Sequence, residues 1–183
     1  RAATALGSLG VDGSGEVARA EAELSRWKGL TETDAAAAPL LSKYWASVGL
    51  GPQPSDVPWS AAFLSYVAAP ALSPSSSHVG YARQAWLRRK QGRAGYWAFA
   101  PGELGGRLLP GDIVIRSRGE LAAWSDVTSD TGHKDSHGDI VTAVNGLSAR
   151  LVGGNVSDGV GAKTLSGALP STVFAVLRKM RGA

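Results

Sequence analysis

Ser60 stands in Val57-Pro58-Trp59-Ser60-Ala61-Ala62-Phe63-Leu64-Ser65-Tyr66, a small polar residue between a Pro-Trp pair and an apolar run. Pro58 cannot continue a helix arriving from upstream, so the pattern predicts a helix that begins at or just after it. A nucleophile in that first turn faces unpaired backbone N–H groups and the positive end of the helix dipole. Such surroundings lower the pKa of a thiol and stabilise an oxyanion. The chemistry that fits is acyl transfer, which also needs a base and a group that orients the base.

The histidines are His78, His133 and His137. His137 opens Ser136-His137-Gly138-Asp139-Ile140-Val141, a polar approach followed by a strand-like run, so it is the expected base. Asn155, in Val152-Gly153-Gly154-Asn155-Val156, falls on the next strand, and the Asn145-Gly146 turn brings the two strands antiparallel. There it can accept a hydrogen bond from the His137 ring and set its tautomer. His78 precedes an amphipathic stretch with Tyr81 and Trp86, and it is read either as a substrate contact in the same cleft or as an ordinary helix-start residue. Trp59, Trp97 and Trp124 offer flat apolar surface to a substrate, although most tryptophans are core. Residues 126–139 hold four aspartates and two histidines. His133, Asp135, His137 and Asp139 are donor types that zinc accepts, which makes a metal-dependent hydrolase an alternative. The plainer reading is a solvated loop over the cleft, with no metal. For Ser60 taken alone, the plainer reading is a helix cap.

These residues need elements to position them. Residues 1–15 are rich in Gly, Ser and Ala and are expected to form a flexible segment. Apolar spacing predicts helices over 16–28, from 33 or 34 to about 48, from 60 to near 69, and from 78 to about 91. Strands are predicted at 111–115, 139–144, 151–156 and 173–179. Helices first and strands second describe one α+β domain over 16–183, its N-terminal helices packed on a small antiparallel sheet.

The chain has 183 residues, enough for a real core. Cysteine is absent, which excludes disulfides and Cys-ligated zinc. The net charge of +4 suits an anionic partner such as a cell envelope, but no basic run is long enough to indicate nucleic acid. Arg88-Arg89-Lys90 reads as the exposed C-terminal end of a helix. No apolar run approaches the ~20 residues of a membrane span. Arg1 reads as the cut end of a longer chain, with no export signal in this sequence.

The order of these motifs resembles the papain-like NlpC/P60 and CHAP cell-wall hydrolases. Those proteins place a nucleophile at a helix start, then a Gly-Asp strand (here Pro110-Gly111-Asp112-Ile113-Val114), then a His opening a strand, then a polar residue on the next. Over roughly residues 16–178 the chain is also similar to the DUF2272 family. The matching features are Ala20, Glu23 and Trp27, Pro-Trp-Ser-Ala-Ala-Phe at 58–63, Ser77, His78 and Tyr81, His-x-Asp-Ile-Val at 137–141, and Gly-Gly-Asn at 153–155. The resemblance implies a papain-like fold and a peptidoglycan amidase or endopeptidase acting on the wall's peptide stem. It implies Ser60, His137 and Asn155 as catalytic residues, with Trp59, His78 and Tyr81 as substrate contacts and no cofactor. It further implies a periplasmic, envelope or secreted location and, for an antibacterial toxin, a cognate inhibitor protein. The resembling families carry cysteine where this chain has Ser60. A serine there is a weaker native nucleophile, a remnant in a non-catalytic cell-wall- or protein-binding module, or the mark of an inactive Cys→Ser form.

Overall fold

The computed structural model describes residues 13–129 and 134–181. Its elements are α1 (Ser14–Arg26), α2 (Ala38–Ser47), α3 (Ser60–Ala68), α4 (His78–Lys90), β1 (Gly95–Phe99), a 3-10 turn (Pro101–Leu104), β2 (Ile113–Ser117), α5 (Trp124–Ser129), β3 (Ser136–Asn145), β4 (Ser148–Val156), β5 (Gly159–Ser166) and β6 (Val173–Met180). The six strands form one antiparallel sheet in the order β1-β6-β2-β3-β4-β5. The domain is therefore α+β, as expected. No helix among the described residues is long and apolar enough to cross a membrane.

Four elements were not expected, one of them the 3-10 turn at Pro101–Leu104. β1 and β5 extend the sheet at both edges, and α5 occupies part of the stretch read as a polar loop. The expected flexible segment, residues 1–15, lies largely outside the described residues, and α1 already begins at Ser14.

Alternation along the strands sorts side chains onto two faces. Ile113, Ile115, Ile140, Val152, Ala175 and Leu177 join the cluster that holds the helices. Val114, Val141, Leu151 and Val176 face the other way, into a smaller cluster with Trp97, Phe99 and Leu104. The helical side is anchored by stacked aromatic rings. Trp27 and Trp59 lie 5.0 Å apart between centroids, and Tyr44 lies 5.8 Å from Trp59. Their polar tips are satisfied, because Trp27 Nε1 donates to the Tyr44 hydroxyl at 2.8 Å and that hydroxyl donates to Glu23 Oε2 at 2.5 Å. Such pairing is what lets a carboxylate and two polar aromatics stay buried. The Gly-Asp strand start is pinned similarly. Buried Asp112 takes both Arg178 Nε at 2.9 Å and Nη2 at 2.7 Å, a bidentate pair that ties β2 to β6.

Candidate active site

α3 begins at Ser60, immediately after Pro58-Trp59, and its first backbone bond runs from Phe63 N–H to the Trp59 carbonyl at 2.9 Å. The N–H groups of Ser60, Ala61 and Ala62 thus lie before the helical ladder starts. α4 begins at His78, with the Ser77 hydroxyl accepting from Gly80 N–H as its cap. The two helix starts converge, and Ser60 Oγ lies 3.3 Å from His78 Nε2. Both residues line a cavity of about 530 Å³ whose wall also carries Trp45, Ser77, Arg118 and Ser136.

Burial, reinforced by the neighbouring His137, pushes His78 down to about 3, with Asp139 acting in the opposite sense. The ring is neutral near pH 7, even though the Ser136 backbone beside it favours the protonated form. Nε2 is the ring nitrogen that faces the Ser60 hydroxyl, and in the tautomer protonated on Nδ1 it accepts from that hydroxyl.

His137 does not make this contact. Its register partner on β2 is Arg116, and that of Asp139 is Val114, so both lie on the face away from α3. His137 Nε2 pairs instead with Asp139 Oδ1 at 2.9 Å, and Nδ1 is buried with no hydrogen-bond partner among the described residues. Lys163 Nζ approaches Asp139 Oδ2 to 2.5 Å, and Arg116 Nε stands 3.7 Å from it. Burial pushes the Asp139 carboxyl up, but His137 and Lys163 outweigh it and hold the group at about 2. The Ser60–His137–Asn155 arrangement expected from the sequence is thus divided. Ser60 meets His78, His137 meets Asp139, and Asn155 sits half-buried at a bulge in β4 with φ 55. The two histidine rings are nonetheless neighbours, 6.1 Å apart between centroids.

Gly138 explains that proximity. It faces the helices between outward-facing His137 and Asp139, and a Cβ there would stand 2.5 Å from Leu64 Cδ1 and 2.9 Å from His78 Cδ2. The bare backbone lets α3 and the His78 ring settle onto the sheet. Gly153 serves the other face, since its Cβ would lie 3.1 Å from His137 Nε2 and closer still to Asp139 Oδ1. Neither Gly in these two motifs can be replaced without displacing a site side chain.

Of the expected substrate contacts, only His78 lines the cavity. Trp59 and Tyr81 are core residues, 1% and 0% exposed. Trp59 stacks on Trp27 and donates to Glu32 at 2.7 Å. The Tyr81 hydroxyl donates to the Ala61 carbonyl at 2.6 Å and meets Ser65 Oγ, which braces the first turn of α3 from behind. His133, invoked for a metal, lies outside the described residues. Among the described residues no group of three His, Asp or Glu could hold an ion.

Sequence reasoning missed three features: His78 as the partner of Ser60, Asp139 as that of His137, and Arg118 in the cavity wall. Two were signalled. Ser77-His78 is a helix start with a capping serine, as Pro58-Trp59-Ser60 is a helix start, and His-x-Asp on a strand puts both side chains on one face.

The fold and site together describe an α+β domain with a hydroxyl–imidazole pair at converging helix starts. The chain belongs to the DUF2272 family, described as an uncharacterized protein conserved in bacteria, which it matches over residues 17–175. No curated protein and no solved structure matches it.

Proposed function

We propose that the domain is a papain-like hydrolase of the NlpC/P60 and CHAP kind, cleaving a peptide or amide bond of bacterial peptidoglycan by acyl transfer. The observation that carries this reading is the 3.3 Å contact between Ser60 Oγ and His78 Nε2. Ser60 Oγ attacks the carbonyl carbon while its proton passes to neutral His78. First-turn N–H groups, chiefly those of Ala61 and Ala62, receive the oxyanion. His78 returns the proton to the leaving amine, and water then hydrolyses the acyl-serine by the same route. His137 and Asp139 take no direct part and hold the strand beneath His78. The nucleophile helix packed on an antiparallel sheet, a family conserved in bacteria and the net charge of +4 support a wall substrate. The reading carries with it a location in the periplasm, in the envelope or outside the cell. In a toxin it also carries a cognate inhibitor covering the cavity.

A second reading, a non-catalytic wall- or protein-binding module, is favoured by one observation. A serine is far less acidic than a thiol, and a base held at about 3 drives its ionisation weakly. Mass spectrometry of muropeptides after incubation with the chain, Ser60→Ala and Ser60→Cys separates the two. The hydrolase reading predicts products from the chain, none from Ser60→Ala and more from Ser60→Cys. Products from Ser60→Cys alone identify a thiol-hydrolase site silenced by serine. No product from any of the three removes the hydrolase reading for this substrate and leaves the binding module.

A further inference from the structure

Arg118 follows β2 and lines the same cavity as Ser60 and His78. Its backbone is fixed, with its N–H donating to the Asp135 carbonyl at 2.8 Å, so the residue is tied to the start of β3. Its side chain is exposed, and among the described residues no carboxylate lies within ion-pair distance of the guanidinium. It is near enough to His78 for its charge to disfavour a proton on that ring. Among the described lining residues the other charged one, Asp135, is already engaged within the protein. The rest of the described lining is neutral, with hydroxyl or amide donors on Ser76, Ser77 and Gln53. A cavity whose described lining holds one guanidinium without a carboxylate partner and several neutral donors suits an anion, and a planar carboxylate is the group a guanidinium binds in bidentate fashion.

We propose that Arg118 is a specificity residue that holds a free carboxylate of the substrate, so that the cavity takes an acylated amino acid or peptide with an unblocked acid group near the scissile amide. The proposal rests on the hydrolase reading for the word substrate, but the carboxylate site can be tested without turnover. The probes are N-acetyl-D-alanine and N-acetyl-D-alaninamide, titrated into the full chain and followed through the His78 ring resonances by NMR. The expected result is that the acid binds at least about tenfold more tightly than the amide. Arg118→Gln should erase that difference, and Arg118→Lys should keep part of it because the charge remains while the planar fork is lost. Equal affinities for the unmodified chain, a preference that survives Arg118→Gln, or no binding of either probe up to about 100 mM would each overturn the proposal. An Arg118-dependent preference without any muropeptide cleavage would sink the hydrolase reading and leave the carboxylate site standing. Cleavage without the preference would do the reverse.

Discussion

Replacing His78 with Gln should change how stability depends on pH. The unfolded chain protonates a histidine with a pKa near 6.5, whereas the folded chain holds His78 at about 3 because the ring is buried and stands beside His137. Below about pH 6.5 the unfolded state therefore binds a proton that the folded state refuses, and stability falls as pH falls. The contribution is intact above about 6.5 and is lost progressively toward about 3. One such group gives a slope approaching ~1.4 kcal/mol per pH unit, so lowering the pH from about 7 to about 5 costs ~2 kcal/mol. His78→Gln keeps a polar side chain of similar reach but cannot titrate. Its stability should drop ~2 kcal/mol less than that of the unmodified chain over the same interval. Urea unfolding at several pH values between these limits measures both curves. Parallel curves would refute the reasoning, because they would mean that His78 titrates alike in folded and unfolded chains and is not buried against Ser60.

The remaining predictions concern the supports of the site. Gly138→Ala introduces a methyl 2.5 Å from Leu64 Cδ1 and 2.9 Å from His78 Cδ2. It should cost ~1–3 kcal/mol by overpacking, measured by thermal unfolding, and should reduce any hydrolysis by pushing the imidazole off Ser60. Asp139→Asn leaves Lys163 and Arg116 facing a neutral group in a largely buried setting and should destabilise by roughly 3–5 kcal/mol in urea titrations. Because Asp139 is held at about 2, below its ordinary 3.8, its stabilisation is present above about pH 4 and disappears as pH falls toward about 2. That acid limb should be missing from Asp139→Asn. Tyr81→Phe removes the hydroxyl that reaches the Ala61 carbonyl and should cost ~1–2 kcal/mol in the same assay.

Much of this arrangement is legible in the chain. The start of α3 follows from Pro58, the four longer helices from their apolar spacing, and the hairpin of β3 and β4 from Asn145-Gly146. The edge strands are harder to see. β5 reads Gly-Val-Gly-Ala-Lys-Thr-Leu-Ser, half of it Gly, Ala and Ser, and it is defined by pairing with β4 and not by its own propensity. α5 is six residues of mostly polar character, too short for a periodic signal. The side of the sheet that His137 takes turned on a parity that sequence alone does not set. A strand turns alternate residues to opposite faces, and a shift of one would have turned His137 toward α3 in place of Gly138. Register with β2, where Ile115 pairs with Gly138, decides it. The contact of His78 with Ser60 is set by the packing of two helix starts that are 18 residues apart, and no local pattern encodes it.

The central claim is that His78, and not His137, is the working partner of residue 60. The most direct measurement places a reporter thiol there and reads its reactivity. Alkylation of Ser60→Cys by iodoacetamide is followed from about pH 5 to about pH 9 in the single variant and after adding His78→Ala or His137→Ala. The account predicts that His78→Ala slows alkylation near neutral pH by about tenfold or more, while His137→Ala changes it less than about threefold. A large loss with His137→Ala and none with His78→Ala would contradict it and restore the strand histidine as the base.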